Sequence, residues 1–246
     1  MRTLVGGVAL VIGASAGQSL AEEPAAAAGA PRLHSGIDVS WHSGTVDWHA
    51  VRAAGHTFVF LKATEGVDLP DPSFADHWRA AGDAGLVRGA YHFYVTEDDP
   101  EAQARLFIST VALAPGDLVP VVDVETIGHG TAPGVAARLQ TFCDLIEEHY
   151  GVRPIIYTSP TFWNRHLDAS FGHLPLWVAE YGVESPTVPT GWNRWHLWQW
   201  RENAAVPGVE KGADISRVNL DIDRLDDLLV PASTSRGRAT KAPVQP

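Results

Sequence analysis

Leu118 to Thr158 reads LVPVVDVETIGHGTAPGVAARLQTFCDLIEEHYGVRPIIYT. Its two ends are short apolar runs, Leu118–Val124 and Pro154–Thr158, of strand length and rich in β-branched residues. Between them Val135, Leu139, Phe142 and Ile146 recur at helical spacing, and the pattern stops at Gly151, just ahead of Pro154. Strand, helix, strand in this order predicts a parallel pair joined by a crossover helix. Outward from this unit the alternation continues. Further β-type runs are Ser35–Val39, Phe58–Lys62, Arg88–Phe93, Leu174–Ala179, Trp195–Trp200 and Val218–Ile222. Phe74–Ala84 predicts another helix, and Ala102, Leu106 and Val111 a weaker one. Eight strands in so short a chain point to a closed barrel of the α/β class, with short or missing helices late in the sequence.

The ends read differently. Arg2 followed by the apolar stretch Leu4–Ala14 and the small-residue triplet Ser19-Leu20-Ala21 has the form of a signal peptide, 1–21, cleaved after Ala21. The apolar run is shorter than the roughly 20 residues a bilayer span needs. Residues 22–33 read as a flexible leader, 34–230 as the folded domain and 231–246 as a disordered tail of Pro, Ser, Thr, Arg and Lys. The expected product is secreted or periplasmic, monomeric, and free of the membrane once the signal is removed. A net charge of −11 argues against binding nucleic acid through its phosphates. Cys143 is the only cysteine, so no internal disulfide can form, and its place in a helical apolar pattern predicts a buried, inert thiol.

In a barrel of this kind reactive groups stand at the carboxyl ends of strands. Asp38 ends the first run, Glu65 follows the second, His92 lies in the third, Asp123 and Glu125 end the fourth, and Asp221 ends the last. Asp123 and Glu125 are two apart on a strand, so both face the same side. Carboxylates sharing a cavity disfavour each other's ionisation, and an acid that stays protonated near neutrality is what glycosidic cleavage requires. All nine Trp fall after the signal segment, five of them from Trp177 to Trp200. Their faces suit pyranose rings, although about half, Trp78 and Trp195 among them, are expected to fill core. Other chemistries find little support. Gly13-Ala14-Ser15-Ala16-Gly17 has the nucleophile-elbow form but lies in the signal segment. No His-Glu-x-x-His, paired-cysteine or Gly-rich phosphate motif occurs, so neither a metal nor another cofactor is expected.

Ordered blocks along the chain resemble the family 25 glycoside hydrolases, the Chalaropsis-type muramidases. The similarity runs from Ser35 to Leu229. It comprises Gly36-Ile37-Asp38-Val39-Ser40-Trp41 with Val46-Asp47-Trp48, Lys62-Ala63-Thr64-Glu65-Gly66, and Gly89-Ala90-Tyr91-His92-Phe93. Asp123-Val124-Glu125, Tyr157-Thr158-Ser159, Leu176-Trp177-Val178-Ala179 and Trp198-Gln199-Trp200 complete it. The resemblance implies an irregular, TIM-like (β/α) barrel that hydrolyses the β-1,4 bond between N-acetylmuramic acid and N-acetylglucosamine in peptidoglycan. It implies Glu125 as general acid, Asp123 as its assistant at the substrate's acetamido group, and Asp38 as a further active-site carboxylate. The family's last carboxylate falls on Asp221, or on Asp223 if the alignment slips by two. Tyr91, Glu65, Tyr157, Trp177 and Trp200 are the implied sugar-binding residues, with peptidoglycan glycan strands as the partner. Two departures are visible: Trp200 stands where the family commonly has Tyr, and Glu202–Arg217 is longer than usual. The alternative reading is a barrel that grips glycan without cutting it.

Overall fold

A computed structural model of the chain describes residues 34–127, 134–219 and 228–232. The expected signal and leader, the tail from residue 233, and both Asp221 and Asp223 lie outside the described residues.

The strands are β1 (Ser35–Val39), β2 (Phe58–Glu65), β3 (Leu69–Pro70), β4 (Val87–Phe93), β5 (Val121–Asp123), β6 (Ile155–Thr158), β7 (Leu176–Ala179), β8 (Leu197–Ala204) and β9 (Ala213–Val218). They form one sheet in the order β1-β9-β8-β7-β6-β5-β4-β2-β3, closed by pairing of β1 with β2. β3 is a short antiparallel appendage on β2, so the barrel itself has eight strands. Pairings run parallel from β1 through β2, β4, β5, β6 and β7 to β8, whereas β9 is antiparallel to both its neighbours. The fold is thus the irregular α/β barrel expected. Its closing strand is a correction: it occupies Ala213–Val218, ahead of the expected run Val218–Ile222, of which residues 220–222 lie outside the described residues. Val206-Pro207-Gly208 turns the chain back, making β8 and β9 a hairpin where a crossover helix would otherwise stand.

Among the described residues five α-helices flank the barrel: α1 (Trp48–Ala53), α2 (Phe74–Asp83), α3 (Pro100–Thr110), α4 (Val135–Tyr150) and α5 (Pro160–His166). In α4 the buried residues are Val135, Leu139, Phe142, Cys143 and Ile146. Gly151 ends it in the left-handed region, φ 70°, where a residue without Cβ carries no steric cost. α3 buries Gln103, Ala104 and Phe107, a face one position on from the one its sequence suggests. The two short helices α1 and α5 carry too few turns to show a period. Their caps mark them instead: Asp47 accepts from the Ala50 N–H, and Ser159 from the Phe162 N–H ahead of Pro160.

Two apolar layers result. One lies between strands and helices and includes Ile37, Val59, Leu61, Val122, Phe142 and Trp163. The other fills the barrel lumen with Phe58, Phe60, Val121, Ile155, Trp177 and Leu197. Gly36 and Gly89 make this lumen possible, because a Cβ on either would come within 2.2 and 2.5 Å of the Phe58 and Phe60 rings respectively. Trp177 stacks on Phe60 with ring centroids 4.5 Å apart. This plug closes the barrel from below, and the carboxylates gather above it.

Candidate active site

Above that plug is a cavity of about 230 Å³ lined by Asp38, Asp123, Glu125 and Asp214, together with Lys62, Tyr91, Tyr157, Trp177 and Gln199. Strand register explains the gathering. Asp123 pairs with Phe93 on one side and Tyr157 on the other; Tyr157 pairs with Trp177, and Asp38 with Asp214. Asp38 and Asp123 stand near the carboxyl ends of their parallel strands, and Asp214 near the amino end of antiparallel β9, which brings it to the same rim. A second hollow of about 240 Å³ shares Asp38, Tyr91 and Asp214 and prolongs the first toward Asn203 and Lys211. A larger hollow, about 660 Å³, opens at the opposite end of the barrel around Arg153, His173 and Arg194, and none of the four clustered carboxylates reaches it.

Each carboxylate is held differently. Asp38 accepts from the Gln199 amide at 2.8 Å. Burial raises its pKa well above the ordinary value, Asp214 and Glu125 add to this, and the Gln199 hydrogen bond acts the other way. Asp123 is 8% exposed and its Oδ1 has no hydrogen-bond partner. Burial pushes its pKa well up, followed by the charge of Glu125, while Lys62 opposes. Asp214 accepts from the Asn203 N–H at 2.8 Å, and burial raises its pKa. Asn203 itself sits at φ 47°, a left-handed conformation that Asn tolerates better than most side chains, at an irregular step in β8.

Glu125 stands at the rim, open to solvent on one side and facing the cavity on the other. Loss of water on the protein side raises its pKa; Asp214 adds to this and Lys62 opposes it. Its backbone is anchored one residue earlier. Val124 N–H donates to the Tyr157 carbonyl at 2.9 Å, and the Thr158 hydroxyl donates to the Val124 carbonyl at 2.8 Å. The Lys62 ammonium is bound by Glu65 at 2.5 Å.

The structure therefore brings together Asp38, Asp123, Glu125, Tyr91, Tyr157 and Trp177 of the residues expected from sequence. Two others stand elsewhere. Glu65 pairs with Lys62 and does not line the cavity. Trp200 packs on the outer face of the barrel with Leu176, Val178 and Trp198, under the guanidinium of Arg201. Its neighbour Gln199 takes the inward position, because alternate residues of a strand face opposite sides. The carboxylate that sequence reasoning missed is Asp214. The Pro207-Gly208 turn and the alternation around Ile215 were its available signals, hidden inside the segment read as a long insertion. Trp78 and Trp195 are partly buried, whereas Trp41 is 51% exposed and stacks with His42 beside the cleft. Cys143 is buried, and burial raises its thiol pKa, as an inert core group requires.

This geometry, several acids crowded at the carboxyl end of a barrel with aromatic walls, is that of a glycoside hydrolase. The model of "Glycosyl hydrolases family 25" matches residues 37–209. "Lysozyme M1" of Streptomyces globisporus is 34% identical over 203 residues, covering 77% of this chain and 69% of that protein. "N,O-diacetylmuramidase" of Chalaropsis sp is 30% identical over 210 residues, covering 78% and 97%. The crystal structure of the bacterial lysozyme from Streptomyces coelicolor superposes with a TM-score of 0.74 at 31% identity, covering 80% of this chain and 97% of that one. The chain belongs to glycosyl hydrolase family 25.

Proposed function

We propose that the chain is a secreted muramidase that hydrolyses the β-1,4 bond between N-acetylmuramic acid and N-acetylglucosamine in peptidoglycan, with Glu125 as general acid. The observation that carries this is the pairing of a solvent-reachable carboxyl of raised pKa, Glu125, with a buried neighbour, Asp123, whose Oδ1 lacks a partner. A buried unpaired acceptor is costly. The acetamide N–H of a bound N-acetyl sugar supplies the donor it lacks. The names of the relatives, a lysozyme and a diacetylmuramidase, agree with such a substrate.

The reaction then runs in two steps. Oriented by Asp123, the acetamido oxygen attacks the anomeric carbon. The bond to the leaving sugar breaks, its electron pair stays on the leaving oxygen, and the Glu125 proton moves there. Water next adds to the anomeric carbon and opens the cyclic intermediate. Its proton returns to Glu125, and the anomeric configuration is retained. Asp38 and Asp214 are proposed to stabilise the positive charge that develops on the ring. Tyr91 and Trp177 form the sugar-facing wall. Residues 1–21 direct export and are removed, which places Glu22 at the mature amino terminus.

Mass spectrometry of fragments released from purified peptidoglycan tests this reading. Muramic acid at the new reducing end is expected. N-Acetylglucosamine at that end would contradict the bond assignment. Binding without release would mean a barrel that only grips glycan.

A further inference from the structure

Gln199 is 1% exposed and sits where three elements converge: Tyr157 on β6, Tyr181 just past β7, and Asp38 on β1. Both tyrosine hydroxyls donate to its Oε1, from Tyr157 at 2.8 Å. Two donors fill the lone pairs of an amide oxygen. The amide nitrogen is thereby turned to Asp38 Oδ2, to which it donates at 2.8 Å. Oδ2 accepts that N–H and so carries no proton itself; the bond favours the carboxylate, the stronger acceptor. A protonated Asp38 donating to Gln199 would need the amide flipped, and both phenols would then have to turn and accept from its nitrogen.

We propose that Gln199 is a positioning residue that, by donating to Asp38 Oδ2, biases Asp38 toward its anionic form and so favours the mobile proton on Asp123 and Glu125. The inference rests on the muramidase reading and adds to it an assignment of protons. Burial, the largest effect, and most of the groups facing Asp38 oppose its ionisation and raise its pKa well above the ordinary value. Asp214 lies directly across on β9, and Glu125 approaches from the end of β5. The charge of Asp38 in turn raises the pKa of Asp123, on β5 itself. Tyr91 on β4 and His42 in the turn after β1 share the same wall. Lys62 on β2 is the cation there, with Glu65 on its ammonium. The Gln199 donor works against that acidic surrounding. Without it, Asp38 would hold a proton more firmly and compete with Glu125 for it.

The test is the pH dependence of kcat/KM on purified peptidoglycan for the full chain and for Gln199→Leu and Gln199→Glu, with folding followed by circular dichroism. Leucine removes the donor, so the acid limb is expected to move up by about one pH unit or more. Glutamate keeps an acceptor for both tyrosines. Protonated, it donates to Asp38 as the amide does; ionised, it repels it. Activity of Gln199→Glu near pH 4 is therefore expected to stay within about threefold of the unaltered protein and to fall by about tenfold or more by pH 7. Loss that is uniform across pH, with unmoved limbs, would reduce Gln199 to a structural prop and overturn the proposal. So would unchanged activity in both variants, or an acid limb that moves down in the leucine variant. If the leucine variant does not fold, the glutamate profile decides alone. Failure of the muramidase reading is separable, because the unaltered protein would then release no muramic acid ends at any pH.

Discussion

Asp38 and Asp214 are register partners on adjacent antiparallel strands, a place where two like charges repel each other. Together with Asp123 and Glu125 they form a group whose folded pKa values are all raised. The folded state accordingly binds more protons than the unfolded chain at pH values above the ordinary carboxylate range. Stability therefore falls as pH rises from about 4 through the folded pKa values, opposite to the effect of a salt-bridged acid. Asp214→Asn removes one of the repelling charges. It is expected to raise Tm at pH 7 by a few degrees and to leave it unchanged near pH 3, as calorimetry would show. It also withdraws a charge that holds the Glu125 proton on, so the alkaline limb of activity should move to lower pH while kcat drops by about tenfold or more. An unmoved limb would detach Asp214 from Glu125. At this scale the sequence was legible where an acid follows an apolar run, as at Asp38 and Asp123. It was misleading at Trp200, where resemblance outweighed the strand period that turns Gln199 inward and Trp200 out. The orphaned Asp123 oxygen could not be read at all, since it depends on what the neighbouring strands fail to offer.

Among elements, α4 was readable because a 16-residue helix repeats its apolar face several times. The short α1 and α5 offer one repeat or less and announce themselves only by caps. The β8–β9 hairpin was the least legible part. Its strands mix apolar and polar residues, and its irregular pairing breaks the alternation that would reveal it. The β5–β6 pair has a more direct bearing on catalysis. Thr158 holds the Val124 carbonyl from the next strand and so fixes the peptide that carries Glu125. Thr158→Val keeps the shape and removes the hydroxyl. A destabilisation of about 1–3 kcal/mol is expected in denaturant unfolding, from a buried acceptor left without its donor. A larger fall in kcat than in 1/KM should accompany it. A stable variant with normal kcat would show that the strand pair does not position the acid.

For the molecule as a whole, the closed sheet separates two tasks. Below, glycines admit Phe58 and Phe60 and the lumen is packed; above, the same inward-facing positions become acids, tyrosines and an amide. A chain of net charge −11 gains nothing from bulk attraction to a partly anionic wall polymer, so recognition falls to the cleft itself. The class of barrel was readable from the spaced apolar runs, seven of which coincide with strands, because burying both faces of a strand leaves a continuous apolar signature. The antiparallel closure was not, because direction leaves no mark in composition. The measurement that bears most directly on the whole account is turnover of purified peptidoglycan by Glu125→Gln, with intact mass and a melting curve taken on the same preparation. A folded protein whose kcat has fallen by at least about 10²-fold to 10⁴-fold is expected, the loss that follows removal of a general acid. A folded variant that still releases reducing ends at close to the original rate would contradict it.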